Sequence, residues 1–412
     1  MSLFQESNSE RNLVIIEKNK IQRSKFKSNL IKLYFFNFFI GFSLISGILI
    51  PFYLIYGGFT FFEFMLLQSY YAIIVIIFEI PCGIIADRFS KKFALTLAGI
   101  SYLLIPFVYG FAPNKLLFIV GETLFAFSNA LISGTNEAII YENLRKVGKE
   151  SLIMKIMARN DGMFLLGIVM SAPLGSIIAN LISIRMVVFL MIIPYLICLI
   201  ITFTIHKISG VGDTKKSSAQ IVNSGFKLLW KNKILKILVF EKIIIEIIII
   251  FLVYTYQYYI LIEFSIPLFY FGFIDAGLTL SQFTFLNLIP HLTSNDTDKR
   301  KLLLVNTIVP GIGYILIAII NFAPVIIFLF LLVIGLGLSR YIIFTNGINR
   351  QIKENNRATI LSTINVISGI IKAILYPLIG ILVMININFL YLIFGILIVF
   401  LALKSKIKKE YL

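Results

Sequence analysis

Apolar residues in this chain fall into long unbroken runs, not into the alternation of a strand or the narrow stripe of a soluble helix. Twelve such runs lie near residues 29–52, 62–85, 93–112, 115–139, 161–181, 186–205, 236–257, 266–289, 302–320, 323–345, 358–383 and 387–403. Each is long enough for a helix to cross about 30 Å of hydrocarbon, which takes roughly 20 residues. Lipid cannot hydrogen-bond a free backbone, so helices are the natural way across. The pattern predicts an all-α polytopic membrane protein with 12 transmembrane helices. Glu263 and nearby tyrosines blur the junction of the seventh and eighth runs. The first 27 residues are polar and basic, and the run after them is full length. That run is expected to stay as span 1, not to be removed as a signal.

Composition supports the same reading. Of 412 residues, 59% are hydrophobic and 14% charged, against about half apolar and a quarter charged in soluble domains. The formal charge of +17 raises nucleic acid as a partner, but the distribution of Lys and Arg points to a membrane surface instead. An even number of spans puts both termini on one side. With that side cytoplasmic, 31 of the 37 Lys and Arg fall in inner segments. The outer loops hold only Lys115 and Arg185, while Lys32, Lys242, Arg340 and Lys372 fall within spans. This asymmetry orients a multi-pass protein in the cytoplasmic membrane and sets its basic charge against anionic inner-leaflet lipid. Cys82 and Cys198 lie inside predicted spans, so no disulfide framework is expected.

The longest inner connection contains "SGVGDTKKSSAQIVNSGFKLLWKNK", whose Gly- and Ser-rich centre reads as flexible. Its end, "FKLLWKN", reads as a short amphipathic helix at the headgroup boundary. The chain thus divides into a cytoplasmic segment (1–28), a six-helix bundle (29–205), a cytoplasmic linker (206–235), a second six-helix bundle (236–403) and a cytoplasmic tail (404–412). The halves echo each other. Span 4 ends in "SGTNEAIIYENLRK" and span 10 in "GLSRYIIFTNGINRQIKENNRATILST", each leading through a polar inner loop to the next span. Such symmetry is what a duplicated transporter shows.

One stretch is more specific. "IFEIPCGIIADRFSKKFAL" (77–95) breaks an apolar run with a tight charge cluster. A short basic turn explains Lys91 and Lys92, but not an aspartate at the mouth of a helix. "GIIADRFSKK" resembles the loop 2–3 signature of the major facilitator superfamily, G-x-x-x-D-R-x-G-R/K-R/K, through Gly83, Asp87, Arg88, Lys91 and Lys92. Ser90 stands where the family has glycine, so a looser turn is expected. Twelve spans, inner termini and a central linker extend the resemblance over the whole chain. It implies that Asp87 and Arg88 latch the inner ends of the two bundles and favour the outward-open state. The second half offers only "NDTDKRK" (295–301) as a counterpart. "EIPCGIIADR", "SGTNEAIIYENL" and "RATILST" resemble a prokaryotic branch of undefined substrate. "GIVMSAPLG" (167–175) resembles the span 5 pattern of drug–proton antiporters, with Ala172 in place of a glycine. The family's intramembrane arginine early in span 4 is absent; the stretch reads "VGETLFAFSNA", with Glu122.

Charges inside spans cost on the order of 3 kcal/mol each by insertion scales and face an interior cavity or one another. Glu79 lies two turns before Asp87 in span 2. Span 4 carries Glu122, Asn129, Ser133, Asn136 and Glu137, whose spacing keeps to one helical stripe and predicts a wet path. Span 8 repeats the spacing with Asp275, Thr279 and Gln282, and span 11 carries Asn365, Gly369, Lys372 and Tyr376. Depth suggests a Glu246–Arg340 pair and an Asp275–Lys372 pair. In the family spans 1, 4, 7 and 10 line the central cavity, which would place Glu122, Glu137, Glu246 and Arg340 inward. The alternative is that all these charges are structural ion pairs. Proton coupling is assigned first to Glu79, which is deep and has no cation near it in sequence, and then to Glu122. The aromatic cluster "FLVYTYQYYILIEF" (251–264) reads as an interfacial belt, or as an aromatic wall for flat or cationic substrates. Acids in spans 2 and 4 suit a cation and Arg340 and Lys372 an anion, so substrate charge stays open.

An enzyme is not expected. His206 and His291, the only histidines, lie near inner loops of different halves, and no metal-ligand set, nucleophile–base pair or phosphate loop appears. No cofactor, metal or ATP motor is implied. The reading is a monomeric secondary active transporter that moves a small molecule by alternating access, as proton-coupled efflux of drug-like or metabolite substrates. Its alternatives are an uptake permease or facilitator and, in another class, a lipid flippase or transporter-like sensor.

Overall fold

The computed structural model describes residue 24 and residues 26–111, 114–146, 148–149, 152–206, 218–294, 299–352 and 357–412. The centre of the linker and most of the N-terminal segment and of "NDTDKRK" lie outside the described residues. All regular structure within them is helical.

The first apolar run does not form one helix. Helix α1 (26–41) stops, and the chain resumes in short turns, Ser46–Ile48, Leu49–Pro51 and the wide turn Phe52–Tyr56. Two glycines bring backbones together here: a Cβ on Gly47 would sit 2.7 Å from both Ala172 O and Gly272 Cα, and one on Gly41 would strike the Phe164 carbonyl. A break inside lipid is tolerated only when the freed peptide groups find partners. Ser171 Oγ donates to the Ser43 carbonyl (3.1 Å). Gln257 Nε2 donates to the Ser46 carbonyl and its Oε1 accepts from Ile50 N–H, both at 2.9 Å.

Helix α2 (Phe61–Arg88) starts at a capping box in which Thr60 and Glu63 satisfy each other's backbone N–H. A two-residue turn leads to α3 (Lys91–Phe111), where Ser90 Oγ accepts from Phe93 N–H at 3.1 Å. The serine that replaces the family glycine therefore caps the next helix. Helix α4 (Lys115–Ile132) ends at Ser133–Gly134, and Gly134, at φ +67°, turns the chain into α5 (Thr135–Lys146). Then follow α6 (Ile153–Leu181), α7 (Ile184–Leu190), α8 (Ile192–Thr204) and α9 (Ser218–Lys231). Helix α9 contains the expected amphipathic segment, with Leu229 buried and Trp230 exposed. Asn232 caps α10 (Lys233–Ile262) through Ile234 and Leu235 N–H (3.0 and 3.1 Å). Helices α11 (Leu268–Ser294), α12 (Lys299–Ile319), α13 (Ala323–Arg350) and α14 (Arg357–Leu403) complete the chain, α14 being two helices joined at the non-helical Asn386.

Nine helical segments among the described residues are long and apolar enough to cross a membrane, with Thr359–Leu403 counted once. Their outward faces are apolar. On α2, Leu66, Ile73, Ile77, Ile80 and Ile84 form one exposed stripe, a surface that suits lipid and not water. One end of the helices carries Arg88, Lys91, Lys92, Lys299 and Arg350 and is called the basic end; Gly57, Lys115 and Leu181 mark the far end. Asn29 and Lys32 of α1 tie it to α8 at the basic end, donating to the carbonyls of His206 (3.1 Å) and Thr204 (2.6 Å).

Two seams join the earlier helices to the later ones. Along the first, α6 meets α11: Gly272 packs on the Ala172 backbone, and Ser176 Oγ donates to the Phe269 carbonyl at 3.0 Å. Along the second, α2 meets α14: Ser69 Oγ donates to the Ala373 carbonyl at 2.5 Å, and a Cβ on Gly380 would lie 2.9 Å from that of Met65. Small residues give lipid-embedded helices this close approach.

Candidate functional site

Glu122 is the most deeply enclosed of the predicted acids, 4% exposed near the far end of α4. The hydroxyls of Tyr53 and Tyr109 both donate to its Oε1, the second at 2.8 Å. Tyr53 reaches it because the chain breaks after α1 and re-enters as irregular turns. Phe118 packs against the rings of Phe52, Tyr53, Phe59 and Tyr109, with centroids 5.1–5.5 Å apart. Those rings close the pocket around the carboxyl. Two turns further along α4, Asn129 accepts from Tyr102 OH (2.9 Å) and donates to Tyr71 OH (2.8 Å). The stripe predicted to run on from there does not. The turn at Ser133–Gly134 starts a new helix, so Asn136 is buried while Glu137 is exposed on α5. Positive φ at a glycine resets the helical phase that the spacing argument assumed.

A second cluster lies between α10, α11 and α13. A cavity of about 170 Å³ is lined there by Lys242, Glu246, Gln282, Arg340 and Tyr341 among others. Glu246 and Arg340 share this cavity but do not form the predicted pair. Lys242 Nζ takes Glu246 Oε2 at 2.8 Å, one turn away on the same helix. Arg340 is 3% exposed, lies 5.0 Å over the Phe344 ring, and its Nε is buried without a hydrogen-bond partner.

The predicted Asp275–Lys372 pair is absent as well. Asp275 accepts from Tyr256 OH at 2.6 Å, and that hydroxyl accepts from Gln257 Nε2 at 2.9 Å. Asp275 thus belongs to the hydrogen-bonded chain that satisfies the break after α1. Lys372 lies within electrostatic reach of Glu246 and Lys242 instead. Glu79 sits in the α2–α14 seam, half-buried, with Ser362 Oγ at 3.4 Å from its Oε1. In the loop after α2, Lys91 pairs with Glu142 of α5 and Lys92 donates to the Phe203 carbonyl at 2.7 Å. Asp87 and Arg88 are exposed, and neither forms an ion pair with a described residue; Gly83 is half-buried. Sequence reasoning missed Tyr53, Tyr109, Tyr256, Gln257 and Glu142. Only Glu142 carried a signal, being an acid close to the basic loop in the predicted topology.

The family model of the Major Facilitator Superfamily matches residues 30–374. The chain belongs to the major facilitator superfamily. It is therefore a multi-pass membrane transport protein and not an enzyme. A curated relative, the uncharacterized MFS-type transporter YxaM of Bacillus subtilis (strain 168), is 23% identical over 187 residues, 44% of this chain and 46% of that protein. The match thus spans under half the length of that relative. Among solved structures, a mutant form of the nucleoside transporter NupG superposes with a TM-score of 0.77 at 14% identity, over 92% of this chain and 100% of that one. A D-xylose–proton symporter does so with a TM-score of 0.73 at 13% identity, over 94% and 99%. At such identities the likeness is one of fold.

Proposed function

We propose that this superfamily member exports a small molecule across the cytoplasmic membrane by alternating access, driven by the proton gradient. Twelve spans form two six-helix bundles, 29–205 and 236–403, with both termini and the basic end in the cytoplasm. The bundles rock along the α6–α11 and α2–α14 seams. Asp87 and Arg88 are free to act as a latch at the cytoplasmic end, while Lys91, held by Glu142, keeps their turn in place.

The observation that carries proton coupling is the position of Glu79. It is a carboxylate in a seam that must open and close, and across that seam it accepts from Ser362 Oγ at 3.4 Å. Protonation removes a charge from that interface, so the two seam arrangements bind a proton with different affinity, which is what coupling requires. Glu122, already holding two tyrosine hydroxyls, is the second candidate. A proton symporter among the structural neighbours supports the gradient as the driving force. Converting Glu79 to Gln should abolish pH-driven flux in vesicles while leaving expression intact. Undiminished flux in that variant removes Glu79 from the mechanism.

Export rests on the "GIVMSAPLG" stretch, whose Gly167 packs on α1 backbone at Phe38 and whose Gly175 packs on the break after α1 at Leu44. Uptake is the second reading, favoured by that same proton symporter. Inside-out and right-side-out vesicles under one imposed pH gradient separate the two.

A further inference from the structure

We propose that the cavity between α10, α11 and α13 is a binding subsite for a small carboxylate anion, held by Arg340. This deepens the transport reading above by naming the substrate class. One side chain at this cavity has a buried donor without a partner. A guanidinium presents five N–H donors in a rigid fork that matches a carboxylate. Arg340 is 97% buried by difference from its 3% exposure, and its Nε is sealed without a partner. A buried charged donor with no acceptor is costly, so an acceptor delivered by a ligand would be favourable there.

The nearby acids do not fill it. Glu241 is held by Ser405 Oγ at 2.8 and 3.0 Å, and Glu246 by Lys242 at 2.8 Å. Both act on Arg340 only at longer range. Glu246 lies within reach of Arg340, Lys242 and Lys372, and Glu241 within reach of Arg340. Three cations and two carboxylates leave one positive charge, which a monoanion would cancel. The walls fit a short chain behind the carboxylate: Ile250, Leu286 and Leu338 are apolar, and Gln282 offers an amide. The cavity of about 170 Å³ has room for roughly six waters at about 30 Å³ each. A two- to four-carbon acid is of that size.

The test is calorimetric titration of the full chain in detergent, without flux, so that its failure is separate from failure of proton coupling. Acetate, lactate and butyrate are compared with their amides and with butylamine. At least one acid should bind saturably and its amide should not. Arg340→Gln, and Arg340→Lys, which keeps the charge and loses the fork, should each weaken binding at least tenfold. Lys115→Gln, at the far end, should leave it unchanged. Leu338→Phe, which fills the cavity and keeps Arg340, should also abolish binding and guards against misfolding of the Arg340 variants. Silence of all three acids at millimolar concentration, equal binding of amide or amine, or wild-type affinity in the Arg340 or Leu338 variants would overturn the assignment.

Discussion

Glu122 and Arg340 are buried to the same degree, 4% and 3% exposed, yet their surroundings differ in kind. Two tyrosine hydroxyls converge on one oxygen of Glu122, inside a shell of aromatic rings. Arg340 faces a cavity, has a buried donor with no acceptor, and sees its neighbouring acids bound to other groups. Buried charge therefore divides into two uses. Where local partners are complete, the fold holds the charge in place and leaves it no capacity for a further ligand. Where they are incomplete, the site keeps capacity for something that arrives later.

The largest effect expected from breaking this contrast is at Glu122. Removing both donors, Tyr53→Phe with Tyr109→Phe, strands a buried carboxylate and should cost about 3–5 kcal/mol of stability. The measurement is denaturant unfolding in mixed micelles. A loss near 1 kcal/mol would instead mean two neutral hydrogen bonds at about 0.6 kcal/mol each, and Glu122 would then hold its own proton in the resting state.

The next effect tests a saturated site with no charge of its own. Gln257 serves the Ser46 carbonyl, the Ile50 N–H and the Tyr256 hydroxyl. Gln257→Leu removes all three bonds and should cost roughly 2 kcal/mol, at about 0.6 kcal/mol per bond in a membrane protein. It should also loosen the break after α1, read as faster hydrogen exchange at Ile50.

These two sites show why sequence reading stopped where it did. Apolar runs were legible because lipid imposes their length locally, residue by residue. Glu122 was legible as a charge in oil. Its partners were not: Tyr53 stands 69 residues away and arrives only because α1 breaks. The break itself hides for the same reason, since its peptide groups are satisfied from Ser171 and Gln257, 128 and over 200 residues distant. Depth reasoning predicted a Glu246–Arg340 pair; both line one cavity, but it overlooked Lys242, four residues before Glu246, whose pairing was readable from helical spacing. Depth alone also joined Asp275 to Lys372, and the tyrosine at 256 took that carboxylate.

A small effect calibrates the scale. Lys115 and Glu63 form an ion pair at 2.6 Å with side chains 49% and 36% exposed. Lys115→Gln should shift stability by no more than about 1 kcal/mol, less at high salt.

The smallest stability effect should come from the most deeply buried cation. Arg340→Met replaces an under-partnered charge by an apolar chain of similar length, and such replacements are often neutral or stabilising. Unfolding free energy should stay within about 1 kcal/mol of the parent, or rise above it, while carboxylate binding disappears. A residue whose loss harms only binding is held for binding, since folding alone would favour the methionine. A loss of several kcal/mol in Arg340→Met would place Arg340 beside Glu122 as a charge whose partners lie within the fold, with Glu241 and Glu246 as its true partners at long range.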